Sequence, residues 1–171
     1  MTSDQVEKLI SYCMPGQMAL KAILKDELQS RDREVLSQDG FLYSIGTHPI
    51  LLIAHLDTVH ESYMGMPFDI VVDNVNPDNP MGDLRSENGI GGDDRAGIFI
   101  VMEIIKQIDC HVLFCEDEEQ GGIGADKFCE TDIRPDVHFI VEFDRRNRND
   151  AVFYDCYSPL QKICNISIDV Y

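Results

Sequence analysis

The sequence predicts an α/β fold with a mixed, partly parallel central sheet flanked by helices. In the second half of the chain, short apolar segments typical of buried strands alternate with helical segments, which favours parallel strands. Upstream, an Asp-Gly pair between two short strand-like segments indicates an antiparallel hairpin. A length of 171 residues suffices for one domain with a sizeable core but not for two large ones. We therefore expect residues 1–171 to form a single domain.

Two helices are predicted before the sheet begins. Residues 4–13 form the first, because Thr2 and Gln5 have the spacing of a capping box. A Pro-Gly pair ends this helix, and residues 17–30 form the second, with most apolar side chains on one face.

The predicted sheet starts with the hairpin, whose strands REVLSQ and FLYSIG are joined by Asp39-Gly40. Residues 48–58 follow as a continuous apolar run, which is typical of a strand buried on both faces. The remaining predicted elements are strand 68–74, loop 74–83, helix 93–108, buried strand 110–117, helix 123–130, buried strand 138–144, strand 151–156 and a last strand at 164–171.

Composition narrows the range of partners and compartments. The net charge of −17 and the pI of about 4.4 disfavour nucleic-acid and membrane-surface binding, because phosphates and anionic lipids repel such a surface. The N-terminus lacks the basic and apolar regions of a secretory signal, and the longest apolar run, at 50–54, is far shorter than a membrane span. We expect a cytoplasmic protein.

The six cysteines contain no CxxC pair, which excludes a zinc ribbon or a thioredoxin motif. Cys110, Cys115 and Cys129 lie in or near apolar segments, which predicts buried, reduced thiols.

Acidic and imidazole side chains collect where the predicted buried strands end. Because ligands of open α/β sheets bind beyond the carboxyl ends of the strands, four segments should meet at one edge of the sheet. These segments are His55-Leu56-Asp57, Glu116 to Glu119, Asp144, and Asp93-Asp94 after the glycine-rich stretch 89–92.

A divalent cation would relieve the mutual repulsion of so many carboxylates. One imidazole with carboxylate oxygens suits zinc, with cobalt or manganese as substitutes. Asp57 lies two residues after His55, on the same side of a strand, and can accept the second N–H of the imidazole.

Each motif also has an ordinary structural interpretation. The His-x-Asp motif can be a solvated strand end, and Asp93-Asp94 can be a helix N-cap. Glu118-Glu119 can be a solvated acidic turn, and Asp144 can pair with a neighbouring arginine. What favours a metal site is that order, strand-end position and glycine context agree in all four segments.

The segments AHLDTV, GIGGDDRAG, CEDEEQGGIGA and EFDRR resemble the co-catalytic di-zinc aminopeptidase and deacylase clan, which includes glutamyl aminopeptidase-like and peptidase T-like enzymes. The resemblance covers residues 48–156. It implies a zinc-dependent exopeptidase-like fold, here shortened at its C-terminal end, and two divalent ions that assist hydrolysis of an amide bond.

By this resemblance, His55 and Asp144 would bind the first zinc, Glu119 would bind the second, and Asp93 would bridge both. The Asp93–Asp94 peptide would be cis. The candidate catalytic residues would be Glu118, as the general base, and Asp57, which would orient His55.

The resemblance also implies a late histidine that completes the second zinc site, but no histidine follows Asp144. Three others, His48, His111 and His138, stand near strand starts and so at the far edge of the sheet. His60 is the one further histidine on the correct side. We therefore expect a weak second ion and a chain that is a truncated, frameshifted or reduced form of the family.

The first functional hypothesis is a metal-dependent aminopeptidase acting on peptides, impaired by the shortening. The alternatives are a weakly active or non-catalytic metal-binding remnant, an N-acyl amino-acid deacylase, and an acidic interaction module without metal. The substrate would be a peptide or an N-acyl amino acid, and the chain can be a monomer or a homo-oligomer.

Overall fold

A computed structural model describes residues 1–59, 70–78, 82–87 and 89–144, and the backbone of 150–153 and 167–170. Its helices are α1 (Ser3–Cys13), α2 (Gln17–Gln29), α3 (Gly92–Ile104) and α4 (Ile123–Glu130). Its strands are β1 (Val35–Gln38), β2 (Phe41–Ser44), β3 (His48–His55), β4 (Val71–Asp73), β5 (Asp83–Arg85), β6 (Cys110–Cys115), β7 (Phe139–Glu142), β8 (Asp150–Phe153) and β9 (Ser167–Val170).

The main sheet has the strand order β1-β2-β6-β3-β7 and is mixed, as predicted. β3 is parallel to both β6 and β7, whereas β2 is antiparallel to β1 and to β6. In this register His55 lies opposite Cys115, and Ile53 lies opposite Glu142. The carboxyl ends of β3, β6 and β7 therefore meet at one edge.

The N-terminal elements form where the sequence predicts them. Thr2 Oγ1 accepts the N–H of Gln5 at 3.3 Å, and Gln5 Oε1 accepts the N–H of Thr2 at 2.8 Å, so the capping box is present. In the β1–β2 hairpin, Gly40 has a φ of 91°, a conformation that favours glycine.

Side chains pack on both faces of the sheet. Alternate residues of one strand point to opposite faces. Thus Leu52 belongs to the larger apolar cluster, with helices α1 to α3, whereas its neighbour Leu51 belongs to the smaller one, with Phe128 of α4. This confirms the prediction that β3 is buried on both faces in its second half.

One predicted buried strand is exposed. Phe139, Ile140 and Val141 of β7 are 48%, 65% and 38% exposed. Among the described residues, β7 is the last strand of its sheet and pairs with β3 alone, so it is buried less than an inner strand of similar composition.

Smaller differences concern ends and single residues. Helix α3 ends at Ile104 rather than at 108, and the unpredicted β5 pairs with β4 beside the predicted loop. Cys110 and Cys115 are buried as predicted, but Cys129 is exposed because it lies on the outer side of α4. Within the described residues, no helix is both long enough and apolar enough to cross a membrane.

Candidate metal centre

His55 is the buried centre of a cluster at the carboxyl edge of the sheet. It ends β3 and is 3% exposed. Its Nδ1 lies 3.2 Å from Asp57 Oδ1 and 3.1 Å from the Asp57 carbonyl oxygen. Its Nε2 lies 3.2 Å from Asp93 Oδ1 and 4.0 Å from Glu118 Oε2. The Asp57 contacts favour a proton on Nδ1 and leave Nε2 facing carboxylates.

The cluster offers two overlapping sets of metal-ligand atoms. His55, Asp93 and Glu119 each place one such atom within 4.8 Å of the others. His55, Glu118 and Asp144 do the same. The structure thus brings together all the residues predicted as ligands or as the base. An imidazole nitrogen with several carboxylate oxygens is a donor set that suits zinc.

Adjacent residues Asp93 and Asp94 have different surroundings. The peptide between them is cis, which confirms the expectation from the resemblance. The side chain of Asp93 is 67% exposed and faces His55. Asp94 is 3% exposed and accepts the N–H groups of His55 and Gly97, at 3.2 and 3.0 Å. The helix-cap interpretation therefore fits Asp94, and the metal-site interpretation fits Asp93.

The acidic run after β6 also divides into two parts. Glu116 is buried, accepts the N–H of Gly40 at 3.0 Å and pairs with buried Lys21 at 2.5 Å. Asp117 accepts a hydrogen bond from Gln17 of α2 at 2.7 Å. Only the second half of the run, Glu118 and Glu119, faces the cluster. There the main-chain N–H groups of both glutamates lie 2.9 Å from the Asp57 carboxylate.

The charges of the cluster shift its pKa values. Burial would lower the pKa of His55, but its hydrogen bond to Asp57 and the negative charges of Asp94, Asp57 and Asp144 raise this pKa to about 9. Burial would raise the pKa of Asp57, but its bonds with His55 and the two glutamate amides lower it.

Two predicted ligands show the expected repulsion. Burial, together with the charge of Asp93, raises the pKa of both Glu119 and Asp144. These shifts belong to the metal-free protein, and a bound cation would reverse them because it favours the ionised carboxylates.

Sequence reasoning missed one acidic neighbour of the cluster. Glu142 ends β7, and burial with the charges of Asp144 and Glu118 raises its pKa. The predicted strand ended at Asp144, whereas β7 ends at Glu142. With the observed boundary, the strand-end rule would have indicated Glu142 as well.

The other described histidines stand apart, as expected. His48 and His138 are exposed, and His111 is buried with its Nδ1 2.7 Å from the hydroxyl of Tyr43. Among the described residues, none of the three belongs to a metal-ligand group. His60 lies outside the described residues, as do the arginines that follow Asp144.

No protein-family model and no curated protein sequence matches this chain. Solved structures do match. A tripeptidase from Staphylococcus aureus subsp. aureus Mu50 shares 20% identity at a TM-score of 0.62, over 86% of this chain and 45% of that one. Aminoacylhistidine dipeptidase from Vibrio alginolyticus shares 14% identity at a TM-score of 0.60, over 88% of this chain and 34% of that one.

These similarities establish the fold. The mixed α/β fold expected from the resemblance to peptidase T-like enzymes is confirmed, since both matched structures are peptidases and most of this chain superposes on each. The chain spans less than half the length of either peptidase.

Proposed function

We propose that this chain carries the metal centre of a hydrolase that cleaves amide bonds, with an aminopeptidase acting on peptides as the first candidate. The observation behind this proposal is the meeting of one buried imidazole with Asp93, Glu118, Glu119 and Asp144, which come from three separate segments. A solvated acidic surface would not require a buried imidazole at its centre, whereas a metal site uses the imidazole as a ligand. The peptidase fold of the chain supports the same class of reaction.

The ligands divide into two sets in this proposal. His55, Asp93 and Asp144 would hold the first ion, whereas Asp93 and Glu119 would hold the second. Zinc fits these donors, and cobalt or manganese can replace it. A bound divalent ion supplies Lewis acidity toward the scissile carbonyl and lowers the pKa of a bound water.

The remaining groups move or hold protons. Glu118 takes the proton of the attacking water and passes it to the leaving amine. Its carboxylate lies 4.0 Å from His55 Nε2, at the ligand side of the imidazole. Asp57 keeps the proton of His55 on Nδ1, so that Nε2 is free to bind a metal.

Two other functions remain as candidates. An N-acyl amino-acid deacylase uses the same bond chemistry on a different substrate. A metal-binding remnant with little or no turnover is favoured by the composition of the second ion site, which has two carboxylates and no assigned imidazole. The cytoplasmic location and the oligomeric state remain predictions.

The test is to purify the chain, measure its bound metal by elemental analysis, and assay it with millimolar zinc, cobalt or manganese. Substrates should include aminoacyl anilides, dipeptides, tripeptides and N-acyl amino acids. Hydrolysis that is lost on chelation supports the hydrolase, and the substrate preference separates aminopeptidase from deacylase. Bound metal without turnover supports the remnant. If the purified chain shows no bound metal and no turnover, the proposal is contradicted and an acidic interaction module is favoured.

A further inference from the structure

Asp57 contacts two parts of the site that are about sixty residues apart in the chain. We infer that Asp57 is a positioning residue for the Glu118-Glu119 turn as well as for His55, because it accepts hydrogen bonds from the main-chain N–H groups of both glutamates. The relevance of this positioning to catalysis rests on the proposed function. The contacts themselves need no metal.

Each oxygen of the Asp57 carboxylate has its own amide donor. Oδ1 accepts the N–H of Glu118 and Oδ2 accepts that of Glu119, both at 2.9 Å. Oδ1 also lies 3.2 Å from His55 Nδ1. Asp57 is 4% exposed, so water has little access to compete for these bonds. Hydrogen bonds to an ionised acceptor are about twice as strong as neutral ones.

The backbone after β6 explains why two successive amides point at one carboxylate. Asp117 has a φ of 54°, which turns the chain sharply before Glu118. Successive N–H groups in such a turn form a concave site for an anion. The Glu118 carbonyl accepts the N–H groups of Gly121 and Gly122, at 2.8 and 2.9 Å. The Glu118 backbone is therefore held through both its N–H and its carbonyl group.

The Asp57 contacts also oppose the electrostatic repulsion within the cluster. The carboxylates of Asp93, Glu118, Glu119 and Asp144 repel one another, and this repulsion would push the turn outward in the metal-free protein. Asp57 is negative too, but two main-chain N–H groups and the Nδ1–H of His55 face its carboxylate. It can therefore hold the turn in place before any ion binds.

The experiment is amide hydrogen exchange by NMR on the full chain after chelation of metal. In Asp57→Ala, we expect exchange at the Glu118 and Glu119 amides to become about 10- to 100-fold faster, the factor that a hydrogen bond to a charged group contributes. Asp57→Asn keeps one acceptor oxygen and should accelerate one amide more than the other. His55→Ala removes the imidazole, and Asp144→Asn makes the same charge change in the same cluster. Both should leave the two amides protected.

Unchanged exchange at both amides in Asp57→Ala or Asp57→Asn would overturn the inference. Equal acceleration in His55→Ala would also overturn it, since Asp57 would then act through the imidazole alone. Protection at Val112 and Phe114 in β6 reports the fold, and its loss in both Asp57 variants would indicate a general structural role instead. A protein that neither binds zinc nor hydrolyses amides would refute the proposed function but leave this exchange result standing.

Discussion

His55 Nε2 lies 3.2 Å from Asp93 Oδ1, although 38 residues separate the two in the chain. The contact forms because His55 ends a central strand, and because Asp93 lies at the start of α3, where the backbone of both Asp93 and Asp94 is still non-helical. Here the non-helical φ and ψ angles of Asp93 place its carboxylate at the imidazole, while Asp94 caps the helix.

Glu118→Gln should leave metal content unchanged and reduce any hydrolysis by about 10²- to 10⁴-fold, the usual cost of losing a general base. Elemental analysis and kcat/KM on the best substrate test this. The matched control is Asp126→Asn, which removes one exposed negative charge from α4 and should retain full activity. Activity of Glu118→Gln equal to that of the control would exclude Glu118 as the base.

Asp93→Ala should affect metal binding, whereas Asp94→Ala should affect the stability of the fold. The first should remove bound metal and leave the fold intact, because the Asp93 side chain is largely exposed. The second should lower the free energy of unfolding by about 1–3 kcal/mol, because it leaves buried N–H groups of His55 and Gly97 without their acceptor. Elemental analysis and urea denaturation separate the two. Retained metal in Asp93→Ala would contradict its role as a ligand.

Zinc binding should strengthen as the pH rises. In the metal-free protein His55 keeps its proton up to a pKa of about 9, against an ordinary value of 6.5. Zinc requires the neutral imidazole, so affinity should rise about tenfold per pH unit between pH 6.5 and 9. Conversely, this raised pKa stabilises the metal-free fold below pH 6.5, and the contribution is lost as the pH passes 9. Calorimetry in buffers of different ionisation enthalpy should detect about one proton released per zinc. Affinity that is flat from pH 6.5 to 8 would argue against His55 as a ligand.

The two ions should bind with very different affinities. The first proposed set has an imidazole and two carboxylates, whereas the second, within the described residues, consists of the carboxylates of Asp93 and Glu119. Catalytic zinc usually has three protein ligands, so the second ion should be weak and activity should rise with millimolar added metal. Zinc titration calorimetry on wild type and His60→Ala tests this. Two equally tight sites, one of them lost in His60→Ala, would show that His60 completes the second site.

Lys21→Met should destabilise the fold by about 3–5 kcal/mol, because it leaves the buried Glu116 carboxylate without its charged partner. Zinc affinity should stay within a fewfold of wild type, since Glu116 faces α2 and the hairpin rather than the metal cluster. Thermal denaturation and zinc titration test the two halves. Lys25→Met changes a half-buried lysine of the same helix and is a control that should lower stability much less. A strong loss of zinc affinity in folded Lys21→Met would link Glu116 to the site.

The sequence alone predicted where the site lies, because strand ends and a glycine-rich turn are local patterns. Strand ends predicted that four segments would meet at one edge, and the resemblance then singled out His55, Asp93 and Glu119 within them. The division of the acidic run could not be predicted. Glu116 and Glu118 are two residues apart and chemically alike, and their different roles come from Lys21, which is 95 residues from Glu116.

The exposure of the β7 side chains could not be predicted from the local sequence pattern either. Its segment FIVE is as apolar as parts of inner strands, and periodicity does not tell an edge strand from a central one. The Asp57 contacts with two backbone amides were also hidden, since a main-chain donor carries no residue-type signal.

The exposed edge at Phe139, Ile140 and Val141 has a consequence for colloidal behaviour. An apolar edge strand can pair with a strand of another molecule, and like charge on approaching molecules opposes that encounter. With a net charge of −17, repulsion is strong in dilute neutral buffer. It weakens in concentrated salt and vanishes near the pI of about 4.4. We therefore expect that acidification or high salt allows intermolecular pairing at this strand, and that precipitation starts there.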